Sequence, residues 1–326
     1  DPEREPNSYY YYAEAQVALA AGELDKAVEY MEKAYEIDSE SVFLMKELLV
    51  LYLRQKENEK AFELAEKILE KTPDDRNILT MYGRISQTLD KTKEAVEAYT
   101  KILAEDPEQQ NVYLLLGSLY LKEERTEEAL DVLESLLKKY PDSYAGHYYI
   151  GRAYLQKEQF SAAEKAFKKT LELEPDLEEP RFALVELYES QGQKKKVAGI
   201  YNDILSRNPR NIRASIELAC HYHETGRREK ADEILSSLGR RAVTDLEVLR
   251  TVVSLYLDEE HYEKAAVVLD GMLAGAPDNP DLNYLAGVAR DELGEDDVAL
   301  ERLKKVTPES RFYKNAAVHI SFLYQE

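Results

Sequence analysis

An alanine returns every 34 residues along this chain. The positions are Ala27, Ala61, Ala95, Ala129, Ala163, Val197, Ala231, Ala265 and Ala299, eight alanines at nine positions with no insertion. A chain under that constraint reuses one short unit, and each unit must bury its apolar face on its neighbours. Other positions keep the same phase. Twelve residues after the alanine stand Pro73, Pro107, Pro141, Pro175, Pro209 and Pro277. Twelve before it, Ala15, Gly83, Gly117, Gly151, Ala219 and Gly287 supply a second small side chain. Nine before it, Tyr52, Tyr120, Tyr154, Tyr188, Tyr222 and Tyr256 recur.

The stretch NVYLLLGSLYLKEERTEEALDVLESLLKKYPDS, residues 111–143, shows what one unit is. Its apolar residues fall at i, i+3, i+4 and i+7, which predicts two amphipathic helices near 111–122 and 126–139. Gly117 and Ala129 let the two backbones approach, and Tyr120 fills the space beside them. Pro141 ends the second helix, because proline cannot continue a helix interior. Gly22, Gly192, Gly226 and Gly294 mark the turn inside a pair, where other units use a charged residue.

The small–Tyr–Ala–Pro pattern at a stride of 34 resembles the tetratricopeptide repeat family. The resemblance runs through nearly the whole chain, in nine copies held in phase. It implies an all-α, right-handed superhelical solenoid of helix-turn-helix repeats. The units expected are 8–41, 42–75, 76–109, 110–143, 144–177, 178–211, 212–245, 246–279 and 280–313. Residues 1–7 then form an N-terminal extension, and 314–326 form a cap or the first helix of a truncated tenth unit. The apolar tail around Ile320, Phe322, Leu323 and Tyr324 favours truncation, since a natural cap is polar outside. Two units depart from the pattern. One has Val197 for alanine after Lys194-Lys195-Lys196; the other has Val243 in the proline slot, which predicts an irregular junction around 237–246.

Charge and motif content narrow the function. The net charge of −21 opposes nonspecific nucleic-acid or anionic-lipid binding. No apolar run reaches the length of a membrane span. The chain starts at Asp1 without a leader, which reads as processed or trimmed and leaves cytoplasm and bacterial cell envelope both open. One cysteine, Cys220, cannot close an internal disulfide. Phosphate loops, dinucleotide turns, nucleophile elbows and paired zinc cysteines are missing, so no enzyme activity and no cofactor are expected. Glu217, Cys220, His223 and Glu224 share a helical face, but one thiol and one imidazole at that spacing fall short of a closed tetrahedral metal set.

In the tetratricopeptide family the first helix of each pair lines a concave groove that holds a peptide. By the stride, the groove-facing set in the first five units includes Tyr9, Tyr12, Phe43, Lys46, Arg54, Arg84, Asn111, Leu114, Lys122, Tyr148 and Arg152. This face is aromatic and cationic. The matching face of the later units carries Glu179, Glu186, Glu189, Glu247, Asp258, Asp281 and Asp291, and is mainly acidic. Within the run Tyr9 to Tyr12, Tyr11 belongs to the core and Tyr10 covers the end of the array. The resemblance therefore implies a non-catalytic scaffold that binds a protein or peptide in its groove, with an acidic–aromatic segment on the cationic half. Two alternatives remain: a regulatory or assembly array of a larger enzyme or envelope complex, and self-association through the end repeats. A chaperone-tail carboxylate clamp is not supported, because the asparagines that would partner Lys46 or Arg84 are missing from the matching turns. The ungapped run and the missing clamp resemble bacterial arrays more than eukaryotic co-chaperones.

Overall fold

Proline and left-handed turns cut the chain into short helices, and the computed structural model describes residues 7–324. The extension expected over 1–7 lies outside the described residues apart from Asn7. The Asn7 side chain caps the first helix, accepting from the Tyr10 N–H at 3.0 Å. Gln325 and Glu326 also lie outside the described residues.

The helices group into two compact units, one ending at Glu174 and the other starting at Pro175. Unit 1 holds α1 (Ser8–Ala20), α2 (Leu24–Ile37), α3 (Val42–Gln55), α4 (Asn58–Lys71), α5 (Arg76–Thr88), α6 (Thr92–Glu105), α7 (Gln110–Lys122), α8 (Thr126–Lys139), α9 (Tyr144–Gln156) and α10 (Phe160–Leu173). Unit 2 holds α11 (Glu179–Ser190), α12 (Lys194–Arg207), α13 (Ile212–Glu224), α14 (Arg228–Ala242), α15 (Leu246–Val252), α16 (Tyr262–Leu273), α17 (Pro280–Asp291), α18 (Asp296–Leu303) and α19 (Tyr313–Leu323). A π-helical turn, Val253–Leu257, continues α15. The described residues contain no strand, and the fold is an all-α repeat solenoid.

The two kinds of connection differ in chemistry. Within a helix pair the turn needs one residue in the left-handed region. That residue is Gly22, Lys56, Asp90, Glu124, Glu158, Gly192, Gly226, Glu260 or Gly294, with φ between 54° and 77°. They are the nine positive-φ positions among the described residues, and each lies 34 residues from the next. Between pairs the loop ends on a side-chain N-cap. Ser41, Asp75, Ser143, Asn211, Asp245 and Asn279 each accept from an N–H of the helix that follows.

The recurring small residues are buried as the stride requires. Ala27, Ala61, Ala95, Ala129, Ala163, Ala231, Ala265 and Ala299 are each 0% exposed, and Val197 is 1% exposed. Tyr52, Tyr120, Tyr188, Tyr222 and Tyr256 are buried beside them. Tyr11 is half-buried and stacked on Tyr30, with ring centroids 6.4 Å apart. Tyr10 is 50% exposed and meets Tyr11 edge-on.

Ion pairs link neighbouring loops at three places along the stride. A cation near the end of a second helix reaches an acid in the loop 31 residues earlier: Lys71 to Glu40, Lys139 to Glu108 at 2.6 Å and Arg207 to Asp176 at 3.2 Å. Exposed pairs of this kind add little stability each, but they mark how neighbouring loops are spaced.

The junction expected to be irregular around 237–246 does depart from the rest. The six earlier pair ends, from Asp38 to Asn208, close near φ −130° with ψ between 70° and 87°, whereas α14 runs one residue further, to Ala242, and its cap Val243 is right-handed at φ −63°, ψ −33°. A second departure follows in the next helix, where the Asp258 N–H reaches back five residues to the Val253 carbonyl at 3.0 Å. Helices α14 and α16 also pack backbone against backbone. A Cβ added to Gly239 would overlap the Met272 carbonyl, and one added to Gly275 would overlap the Ser236 carbonyl.

Unit 2 contains one deeply buried cation. Arg181 is 3% exposed; its Nε donates to Asp203 Oδ2 at 2.6 Å and its guanidinium donates to the Leu177 carbonyl at 2.7 Å. Arg181→Leu should lower stability at neutral pH by about 2 kcal/mol, read by urea denaturation, because a carbonyl loses its donor and a carboxylate its partner. The hydrogen bond from Arg181, helped by the charges of Arg181 and Arg207, outweighs burial and holds the Asp203 carboxyl below its ordinary 3.8. A depressed carboxyl stabilises the fold fully above its unfolded value and loses that contribution as pH falls through its folded value. The gap between wild type and variant should therefore narrow below roughly pH 4. A gap of constant size across that range would refute this role for the pair.

Candidate functional site

In unit 1 the first helix of each pair carries the expected groove residues, and the structure gathers some of them. Asn77, Thr80, Met81 and Arg84 of α5 join Asn111 at the start of α7 around a cleft of about 600 Å³. Asn77 and Asn111 are one stride apart, so each helix presents the same amide to the same space. Arg84 is exposed and makes no ion pair among the described residues. Its neighbour Arg76 is neutralised by Asp106.

The other cations are less available than their spacing suggests. Lys46 Nζ sits 2.5 Å from Asp75 Oδ2, bridging α3 to the start of α5. Asp75 also caps α5, accepting from the N–H groups of Asn77 and Ile78 at 3.1 and 3.2 Å. The hydrogen bond from Lys46 is the main reason the Asp75 carboxyl lies below its usual range. Lys122 Nζ is 2.8 Å from Asp90. Arg54 is exposed on α3 and makes no ion pair among the described residues.

The aromatic members fall into separate groups. Tyr12 packs on Phe43 with ring centroids 5.3 Å apart, and Phe43 remains 56% exposed. Tyr9 is 81% exposed. Leu114 is half-buried against the core of unit 1. Tyr148 lies 5.4 Å from Tyr149 and 6.0 Å from Phe167, ring to ring, and Arg152 is half-buried one turn further along α9. Sequence reasoning missed Asp75, Thr80 and Met81 in the cleft. The position of Asp75, two residues after the proline slot, is a helix-cap signal that could have found it.

The acidic face of unit 2 is also partly neutralised. Glu247 pairs with Arg250 at 2.6 Å and Asp281 with Arg311 at 3.2 Å, while Asp291 shares a hydrogen bond with the His319 imidazole. Glu217 is half-buried, and desolvation pushes its carboxyl above the usual carboxylate range; the exposed Glu189 moves the same way through partial desolvation and the Glu217 charge. Lys264 Nζ approaches Glu224 at 3.7 Å. Cys220 is buried with Sγ 3.4 Å from Tyr256 Oη, and burial raises its thiol to about 11. Among the described residues, no three or more His, Cys, Asp or Glu side chains are arranged to hold a metal ion. No described helix is long and apolar enough to cross a membrane.

This architecture of paired short helices on a fixed stride defines a helical repeat protein. The tetratricopeptide repeat sequence model matches residues 18–85, 89–148 and 256–319, and a second model of that repeat matches 144–177. The chain belongs to the tetratricopeptide repeat family. Comparison with curated protein sequences gave no match. Among solved structures, the chain is similar to a tetratricopeptide repeat protein from Parabacteroides merdae, at 19% identity over 87% of this chain and 99% of that one, with a TM-score of 0.53. It is also similar to MamA from Desulfovibrio magneticus, at 21% identity over 52% of this chain and 96% of that one, with a TM-score of 0.48. A third similar structure is a thermophilic repeat protein of Thermus thermophilus, at 25% identity over 56% and 98% of the two chains and a TM-score of 0.44. Repeats of this family generally mediate protein–protein interaction, and no catalytic family is indicated.

Proposed function

We propose that this protein is a non-catalytic scaffold whose unit 1 groove holds a segment of another protein, one rich in acidic and aromatic residues. The observation that carries the reading is the cleft between α5 and α7, where Arg84 stands with Asn77 and Asn111. An exposed guanidinium flanked by two amides suits a carboxylate, which accepts charge-assisted hydrogen bonds in a planar fork. The exposed rings of Phe43 and Tyr9 on the same series of helices suit aromatic side chains further along the segment. Within unit 1, α1, α3, α5, α7 and α9 are the successive first helices that such a segment would cross.

The test uses a fluorescein-labelled peptide of alternating glutamate and phenylalanine, titrated with the full chain. Saturable binding is expected, and Arg84→Glu should weaken it by about tenfold or more, a typical hot-spot effect. Lys46→Ala should change it less, since Lys46 is already engaged by Asp75. Equal affinity for wild type and Arg84→Glu would overturn the reading.

A further inference from the structure

A second cleft, of about 650 Å³, opens on the loop edge of unit 2, where the α14–α15, α16–α17 and α18–α19 loops line up. It lies in unit 2, apart from the α5–α7 cleft of unit 1. Its floor is apolar: Leu249 and Ala276 are buried there, while Val243 is 62% and Leu246 47% exposed. Aliphatic side chains exposed side by side in a concavity mark a contact surface. The rim is acidic, with Asp278 on one loop and Glu309 on another.

At three other places on the stride a lysine or arginine reaches the acid 31 residues before it: Lys71–Glu40, Lys139–Glu108 and Arg207–Asp176. At the same spacing from Asp278 the chain places Glu309, another acid. Neither carboxylate forms an ion pair among the described residues, whereas Asp281 beside them is taken by Arg311 and Ser310. One step earlier, Thr244 and Gly275 hold the corresponding positions, and neither carries a charge. Over the cleft this pairing is absent, and its rim keeps two carboxylates without an ion-pair partner among the described residues.

We propose that this cleft seats an extended segment of a partner protein in which an arginine or lysine lies beside an aliphatic residue. The cation pairs with Asp278 and Glu309, and the aliphatic side chain covers Val243 and Leu246. Charge complementarity selects this occupant over an acidic one, which the rim would repel. The surface is independent of the unit 1 groove, so the two can fail separately.

The experiment titrates the full chain into a fluorescein-labelled Gly-Ser-Leu-Arg-Leu-Ser-Gly peptide, with anisotropy as the readout. Saturable binding is expected. Replacing the peptide arginine by glutamine, or both leucines by serine, should each weaken it about tenfold. Glu309→Lys supplies the missing cation from the protein itself and should weaken binding at least as much, with an unchanged circular dichroism spectrum. Val243→Asp should do the same by removing apolar floor, and Arg84→Glu should leave this affinity untouched. The proposal is overturned if the serine peptide binds as well as the leucine one, which would reduce the effect to attraction by the net charge of −21. It is also overturned if Glu309→Lys binds like wild type, or if sedimentation shows a dimer that Glu309→Lys dissociates, since the occupant would then be a second copy.

Discussion

Gly239→Ala should cost about 3–4 kcal/mol, even though alanine is the better helix former by about 1 kcal/mol. The methyl group would occupy the space of the Met272 carbonyl. A backbone oxygen cannot rotate away as a side chain can, so α14 and α16 must separate. Separation exposes the floor of that contact, including the buried Leu235, Leu269 and Met272. Gly199 in α12 is the matched control, because a Cβ there meets nothing within 4 Å. Gly199→Ala should stabilise by about 0.5–1 kcal/mol through helix propensity and a less flexible unfolded chain. Hydrogen exchange over 228–275 should accelerate in the first variant and not in the second. If both variants stabilise alike, the close approach of the two helices does not exist in solution.

The second large effect is expected in unit 1. Gly117→Leu should destabilise by a few kcal/mol, since a Cβ at Gly117 would already lie 2.7 Å from Leu133 Cδ2 and 2.8 Å from its Cγ. The neighbouring Ala129 and Leu133 are both 0% exposed, so the intruding side chain finds no slack. In an array stabilised by nearest-neighbour contacts the damage stays local. Exchange protection should fall across 110–139 and hold in α16 to α18. Unchanged protection across 110–139 would mean that α7 and α8 do not meet at this glycine.

Much of the fold could be read from periodicity because the stride is a tertiary property written into a linear order. Alanine at 27, 61 and onward must be small since a second helix crosses there, and the structure buries each one completely. The close contact of α14 with α16 was less visible. Its traces are Gly239 in α14, Gly271 in α16 and Gly275 just past the end of α16, glycines with no local turn to explain them. The π turn at Val253–Leu257 left no trace in the sequence, where Tyr256 occupies the same slot as Tyr52, Tyr120, Tyr188 and Tyr222 in helices that stay α. The candidate groove shows the same division. Asn77 and Asn111 follow from the stride, whereas the quenching of Lys46 by Asp75 and of Lys122 by Asp90 depends on loop acids 29 and 32 residues away.

The evenly spaced left-handed turns carry one more consequence. Because every elbow falls at the same point of its own stride, from Gly22 to Gly294, excising any block of 34 residues between two elbows joins compatible ends. Deleting a single residue inside a helix does not, since it rotates the rest of that helix by about 100° against its packed neighbours. Such a gene can lengthen or shorten by whole-block recombination while remaining intolerant of small gaps, and the reach of its binding surface becomes a heritable variable.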